Sequence, residues 1–184
     1  ENYVMNTTSS PVWTTGTTEV YHTGTWRNSI PDYINPPSPC HTACPVGGNI
    51  ALWIQQVKEK DYHAAWLTLT RNNPYPAIAG RICHHPCEPA CNRKKYDEAI
   101  SICGLERFVG DMALKENWSF PAVPITKREK VAIVGGGPAG LTAAFHLRQA
   151  GYAVTIFETK EKLGGLLRYG IPSYRLGKDI LDKE

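Results

Sequence analysis

From Asn49 onward, apolar residues fall at helical spacing. Ile50, Trp53, Ile54 and Val57 stand at i, i+3, i+4 and i+7, and Asn49 is placed to cap the run. Asp61 suits the cap of a second helix whose buried side is Ala65, Trp66 and Leu69, and Asn72-Asn73-Pro74 ends it in a turn. A third helix is expected after Asp97 as its cap, with Ile102, Leu105, Val109 and Met112 facing inward. The period then changes. The run KVAIV at 130–134 is short, apolar and β-branched, as in a strand buried on both faces of a parallel sheet. GGGPAG follows at 135–140, then a helix over 141–150 with Leu141, Ala144, Leu147 and Arg148 at helical spacing. Gly151 stands where a left-handed residue ends that helix, and 152–157 reads as a second strand closed by Glu158. The predicted fold class is thus α plus α/β: a small all-helical unit, then the first strand–helix–strand of a doubly wound sheet.

Proline and composition divide the chain further. Residues 1–38 are polar, rich in threonine and then in proline, and are expected to be an extended arm. Trp13, Trp26 and Tyr33 in it need cover, so the arm is either a solvated tail or is wrapped on a partner or on the domain behind it. The helical unit spans 39–115, a linker with Pro121 and Pro124 spans 116–128, and 129–184 begins a dinucleotide-binding domain. The net charge of +3 is scattered, which argues against nucleic acid as a partner. No apolar run is long enough to span a membrane, and the start has no secretory pattern. A cytoplasmic, reducing compartment is expected, and it counts against reading the six cysteines as disulfides.

Those cysteines change the picture most. Cys40 and Cys44 precede Pro45, while Cys83, Cys87 and Cys91 recur at a spacing of four in RICHHPCEPAC, residues 81–91. Cys103 lies on the third helix. The C-x3-C-P ending at Pro45 matches the closing part of a bacterial ferredoxin run, in which thiolates hold an iron–sulfur cluster. A helical unit with so few large apolar groups would also gain from an inorganic staple. Structural zinc is the competing reading, although it favours CxxC knuckles. His41, His84 and His85 beside the cysteines read as solvated, or as hydrogen-bonding to sulfur, and Glu88 as a turn residue.

The glycine run carries the second chemistry. Gly135, Gly137 and Gly140 lie between a strand and a helix opened by Pro138 and Ala139, and Glu158 follows the next strand about twenty residues on. Gly135 allows the tight turn, Gly137 lets a pyrophosphate approach the backbone, and Gly140 lets helix and strand pack closely. The helix N-terminus offers amides to the diphosphate, and Glu158 would accept from the adenosine ribose.

Together with GGLLRYGIP at 164–172, these motifs resemble the FAD domain of NAD(P)H-dependent flavoproteins related to the glutamate synthase small subunit. The cysteine unit resembles that family's iron–sulfur domain, and the two occur in the family's order over 39–184. The family includes the N-terminal part of dihydropyrimidine dehydrogenase and the large subunit of the NADH-dependent ferredoxin:NADP oxidoreductase. Residues 23–27 resemble a sub-branch that includes the flavoprotein partner of dissimilatory sulfite reductase. The resemblance implies FAD rather than NAD on the glycine run, with Gly165, Leu166 and Arg168 bordering it. It also implies that Cys44, Cys83, Cys87 and Glu106 hold one [4Fe–4S] cluster. Cys40 and Cys91 would belong to a second cluster, whose usual leading CxxC is replaced by Asp32 and Asn35. Cys103, three residues before Glu106, is a candidate to repair that second cluster. Two clusters are the favoured reading, and one cluster with structural spare cysteines is the alternative.

The function this implies is electron transfer. NAD(P)H would reduce FAD, the flavin would exchange single electrons with the clusters, and these would serve a redox partner protein or subunit. No acid–base pair or nucleophile stands out, and a homodimer is left open. The family's NAD(P)H domain does not occur within these residues. Further strands, from this chain or a partner, are expected to complete the flavin fold, and residues 1–184 alone are not expected to hold FAD stably. The other class of reading is a non-catalytic iron–sulfur docking and relay module.

Overall fold

The structure, a computed structural model, describes residues 36–184. The arm over 1–35, with Trp13, Trp26, Asp32, Tyr33, Asn35 and the stretch 23–27, lies outside them. Helix α1 (Pro39–Ala43) is followed by α2 (Ile50–Lys58) and α3 (Tyr62–Thr70). Asn49 Oδ1 accepts the Leu52 amide at 3.2 Å and Asp61 Oδ1 accepts that of Ala64 at 3.0 Å, so both expected caps form. Helices α1 and α4 (Pro76–Ile82) were not predicted, because their prolines read as breakers. Each proline sits at the first helical position, where a missing N–H costs nothing.

Helix α5 (Ile102–Glu116) corrects another expectation. Asp97 does not cap it; its carboxylate is held by the Arg93 guanidinium in the 3-10 turn Asn92–Lys95. The start of α5 is capped from a distance, since Glu88 Oε1 accepts the Cys103 amide at 2.9 Å. Asn117, in the left-handed region at φ 53°, stops the helix. Helices α4 and α5 cross where two glycines meet the opposing backbone. A Cβ on Gly80 would stand 2.5 Å from Arg107 Cα, and one on Gly110 would collide with the Ala77 amide nitrogen. The crossing is tied by Arg81, which pairs with Asp111 at 2.7 Å.

Two cores result. Ile50, Trp53, Trp66, Leu69, Ile102 and Val109 form the first, and buried Cys87 belongs to it. Ile78 of α4 forms the second with Leu167 and Leu176, and Tyr75, Ile82 and Leu181 pack around them. Helix α4 therefore lies between the helical unit and the nucleotide-binding unit. Residues 118–129 have no regular structure, yet they are packed rather than free: Phe120 stacks on Trp66 at 4.7 Å and meets Phe145 edge-on at 4.7 Å.

Strand β1 (Lys130–Val134) pairs in parallel with β2 (Ala153–Phe157), with Ile133 opposite Ile156. Helix α6 (Pro138–Gln149) crosses between them and starts at its N1 proline, three residues earlier than the pattern suggested. Gly151, at φ +88°, ends the turn after it as expected. The expectation of a strand buried on both faces is not met among the described residues. β1 alternates between exposed and half-buried positions, and Val134 is 91% exposed, because only one neighbouring strand is present in this sheet. Short helices α7 (Leu166–Tyr169) and α8 (Lys178–Lys183) follow, and no described helix is long and apolar enough to cross a membrane.

Candidate functional site

Five of the predicted ligands come to one place. Cys44, Cys83, Cys87, Cys103 and Glu106 line a single cavity of about 150 Å³, walled on its apolar side by Ile50, Trp53, Leu69 and Ile102. Each arrives for a local reason. Cys44 ends α1, and its amide bonds back to Cys40 and His41 carbonyls. Cys83 ends α4, with its amide on the Ala79 carbonyl at 2.9 Å. Cys87 sits in the irregular turn that follows, and α5 presents Cys103 and Glu106 three residues apart.

The electrostatics of this cavity are those of crowded acids. The Cys87 thiol is pushed up to about 12, first by burial and then by Cys44, Glu88 and Cys83. Burial also raises Cys103, with Glu106 and Cys83 adding to it. Glu106 is raised to about 7 by burial, against which the Asn73 amide donates to its Oε1. Such groups cannot all ionise together unless positive charge enters among them. His85, in the left-handed region at φ 43°, turns its backbone N–H onto Cys83 Sγ at 3.2 Å. That bond to sulfur was expected of a histidine side chain; the main chain supplies it.

The remaining cysteines stand apart. Neither Cys40 nor Cys91 is among the residues that line the cavity. Cys40 Sγ is 3.2 Å from Ser38 Oγ, and the Cys91 thiol is lowered by backbone amides led by that of Ile100. Cys103, expected to compensate beside these two, is instead on the wall of the first group. The α4–α5 crossing puts it there, with its Sγ against the Gly80 carbonyl at 3.5 Å. Among the described residues no three His, Cys, Asp or Glu side chains converge closely enough to share one metal ion.

The glycine loop is made differently. Gly135 turns at φ +101° while its amide bonds the Phe157 carbonyl at 2.7 Å. A Cβ on Gly140 would run into the Gly135 carbonyl oxygen and stand 3.3 Å from Ile133 Cγ2, so helix and strand meet as expected. Gly165 closes over the loop, where a Cβ would lie 2.8 Å from Gly137 Cα. The first turn of α6, with Pro138, Ala139 and Gly140, leaves amides without intrahelical acceptors. Glu158, at the end of β2, accepts the Lys160 amide at 2.8 Å and the Gly136 amide at 2.7 Å, and these bonds hold its carboxyl below its ordinary value. Leu166 is exposed, whereas the Arg168 guanidinium is occupied by the Leu163 carbonyl at 2.7 Å and by Asp182. Sequence reasoning missed Glu184, which caps α4: Oε1 and Oε2 accept the Ala77 and Ile78 amides at 2.7 Å each. No local signal could have shown it, because cap and helix are over a hundred residues apart.

Comparison with known proteins adds names. Residues 33–118 match the family described as dihydropyrimidine dehydrogenase domain II, 4Fe-4S cluster. Residues 133–177 match an NAD(P)-binding Rossmann-like domain. The chain is 41% identical over 145 residues to the glutamate synthase [NADPH] small chain of Mycobacterium tuberculosis, covering 78% of this chain and 30% of that one. It is 40% identical to the corresponding small chain of Bacillus subtilis over 77% of this chain and 29% of that one. It is also 38% identical to the NADP(+)-dependent formate dehydrogenase subunit beta of Moorella thermoacetica, over 80% of this chain and 24% of that one. The chain thus spans less than a third of the length of these relatives.

Proposed function

We propose that the chain, similar over most of its length to glutamate synthase small chains and related NAD(P)H oxidoreductases, is the electron-relay end of an NAD(P)H-dependent FAD and iron–sulfur oxidoreductase. The observation that carries the reading is the gathering of Cys44, Cys83 and Cys87 with the α5 groups Cys103 and Glu106 around one cavity. The donor set suits an iron–sulfur cluster, since thiolates are its usual ligands.

Cys44, Cys83 and Cys87 would hold one [4Fe–4S] cluster, with Glu106 as the fourth ligand and Cys103 beside it. Cys40 and Cys91 would serve a second cluster, completed by further ligands such as Asp32, Asn35, a nearby histidine or a group from outside the chain. Gly135, Gly137, Pro138, Ala139, Gly140 and Gly165 would cradle the FAD diphosphate, and Glu158 would turn to the adenosine ribose. Bound there, the flavin would supply the change from paired to single electrons, and the chain's own part would be to hold and orient it. NAD(P)H and the final acceptor would meet other parts of the enzyme, the acceptor as a partner subunit. The relatives' names, small chain and subunit beta, support that assignment. A reducing cytoplasm suits free thiols that must reach iron.

The test is direct. Anaerobically purified full-length protein should contain iron, sulfide and FAD, with flavin absorbance bleached by NADH or NADPH. Protein that carries zinc in place of iron, or no flavin, would overturn the reading.

A further inference from the structure

Helix α4 has seven residues and no cap of its own, for Tyr75 makes no side-chain bond to its first amides. Both of its ends are nevertheless held, by different parts of the molecule. At the start, the Glu184 carboxylate just after α8 takes the Ala77 and Ile78 amides. Ile78 is buried against Leu167 and Leu176, and Ile82 packs on the same core. At the other end the helix delivers Cys83 to the cavity wall, and its opposite face is locked to α5 through Gly80 and Arg81.

The geometry points to Glu184 as a positioning residue for the group bound through Cys83. Its carboxylate pins the start of α4 to the nucleotide-binding unit, and α4 transmits that placement to Cys83. The inference rests on the reading of the cavity as a cluster site and goes beyond it by coupling that site to the glycine-loop side. A helix of seven residues, about two turns, makes the link. Local opening at its start would be felt at its end, because cooperative units of this size open together. Two amide bonds are lost together when this carboxyl group is removed, so the loss is expected to be visible. Arg81 attracts this carboxylate and Glu106 repels it.

The experiment uses the full-length holoenzyme with Glu184→Ala and Glu184→Gln. Hydrogen exchange at the amides of Ala77, Ile78 and Cys83 is one readout. The electron paramagnetic resonance spectrum of the reduced cluster and the rate of flavin-to-cluster transfer are the others. In Glu184→Ala the Cys83 amide should exchange at least about tenfold faster, and transfer should slow by about tenfold or more, since small misplacements are costly. Reduction of the flavin by NAD(P)H should stay unchanged. Glu184→Gln, which keeps the shape and one acceptor, should lie between and serves if the alanine variant does not fold. Wild-type exchange at Cys83 together with a wild-type cluster spectrum in either folded variant overturns the inference. If the wild-type protein itself lacks iron or flavin, the functional reading fails, and the exchange data alone then judge Glu184.

Discussion

The cysteine cavity and the glycine loop are built from opposite materials. The cavity is a meeting of side chains from four segments, sunk into an apolar core that contains Cys87 itself. The loop is backbone from one strand–helix turn, shaped by what glycine lacks, and its strands mix exposed and half-buried positions. A side-chain site depends on tertiary packing and on charge, so it is sensitive to the loss of one atom and to pH. A backbone site depends on local conformation, so it is sensitive to one added methyl group and little to the loss of a side chain.

The largest expected effect tests the first half of this contrast. Cys87→Ser in the holoenzyme should remove a whole cluster, about four irons per chain, as measured by iron and sulfide determination. Cys40→Ser should leave that cluster's paramagnetic signal in place. If both variants lose the same signal, the separation of the two cysteine groups is wrong.

Gly140→Ala probes the other half. The new methyl meets the Gly135 carbonyl oxygen and should cost about 3 kcal/mol or more in urea denaturation, in the manner of an overpacked site. FAD binding should fall with it while iron content stays. Loss of iron at equal degree would mean that the two sites are one cooperative structure.

The pH dependence follows from Glu106, whose carboxyl is raised to about 7 by burial. In cluster-free protein both folded and unfolded states hold this proton below the ordinary carboxylate range. Between that range and about 7 only the folded state keeps it, so stability falls as pH rises through this window, by roughly 3 kcal/mol. Glu184, also raised to about 7, adds in the same direction. Urea midpoints at pH 5 and pH 8 should therefore differ, and Glu106→Gln should shrink the difference. Iron loading should shrink it too. The smallest effect is expected at Glu158→Gln, where the amide oxygen can still accept from Gly136, and FAD affinity should fall only a few-fold by titration.

The backbone site was the more legible of the two in the sequence. GGGPAG between a strand and a helix, with Glu158 beyond, gave β1, α6, β2 and the loop in their observed order, with α6 starting three residues earlier than expected. In the helical half α2 and α3 were readable because Asn49 and Asp61 are local caps. Helices α1 and α4 were hidden by prolines that open them. The caps of α4 and α5, Glu184 and Glu88, come from far along the chain, and Asp97 was a plausible local substitute already engaged by Arg93. The place of Cys103 was equally unreadable, since it depends on two glycines at a helix crossing.

The burial of α4 between two cores bears on modularity. Seen as text, the chain invites a cut near Pro121, as if two cassettes could be exchanged between enzymes. A cut there would strip Leu167, Leu176 and Leu181 from Ile78 and Tyr75, leaving greasy faces on both halves. It would also part Trp66 from Phe120 or Phe120 from Phe145. Shuffling this unit into a new enzyme therefore means carrying the first strand–helix–strand and the residues up to Glu184 along with the cysteines.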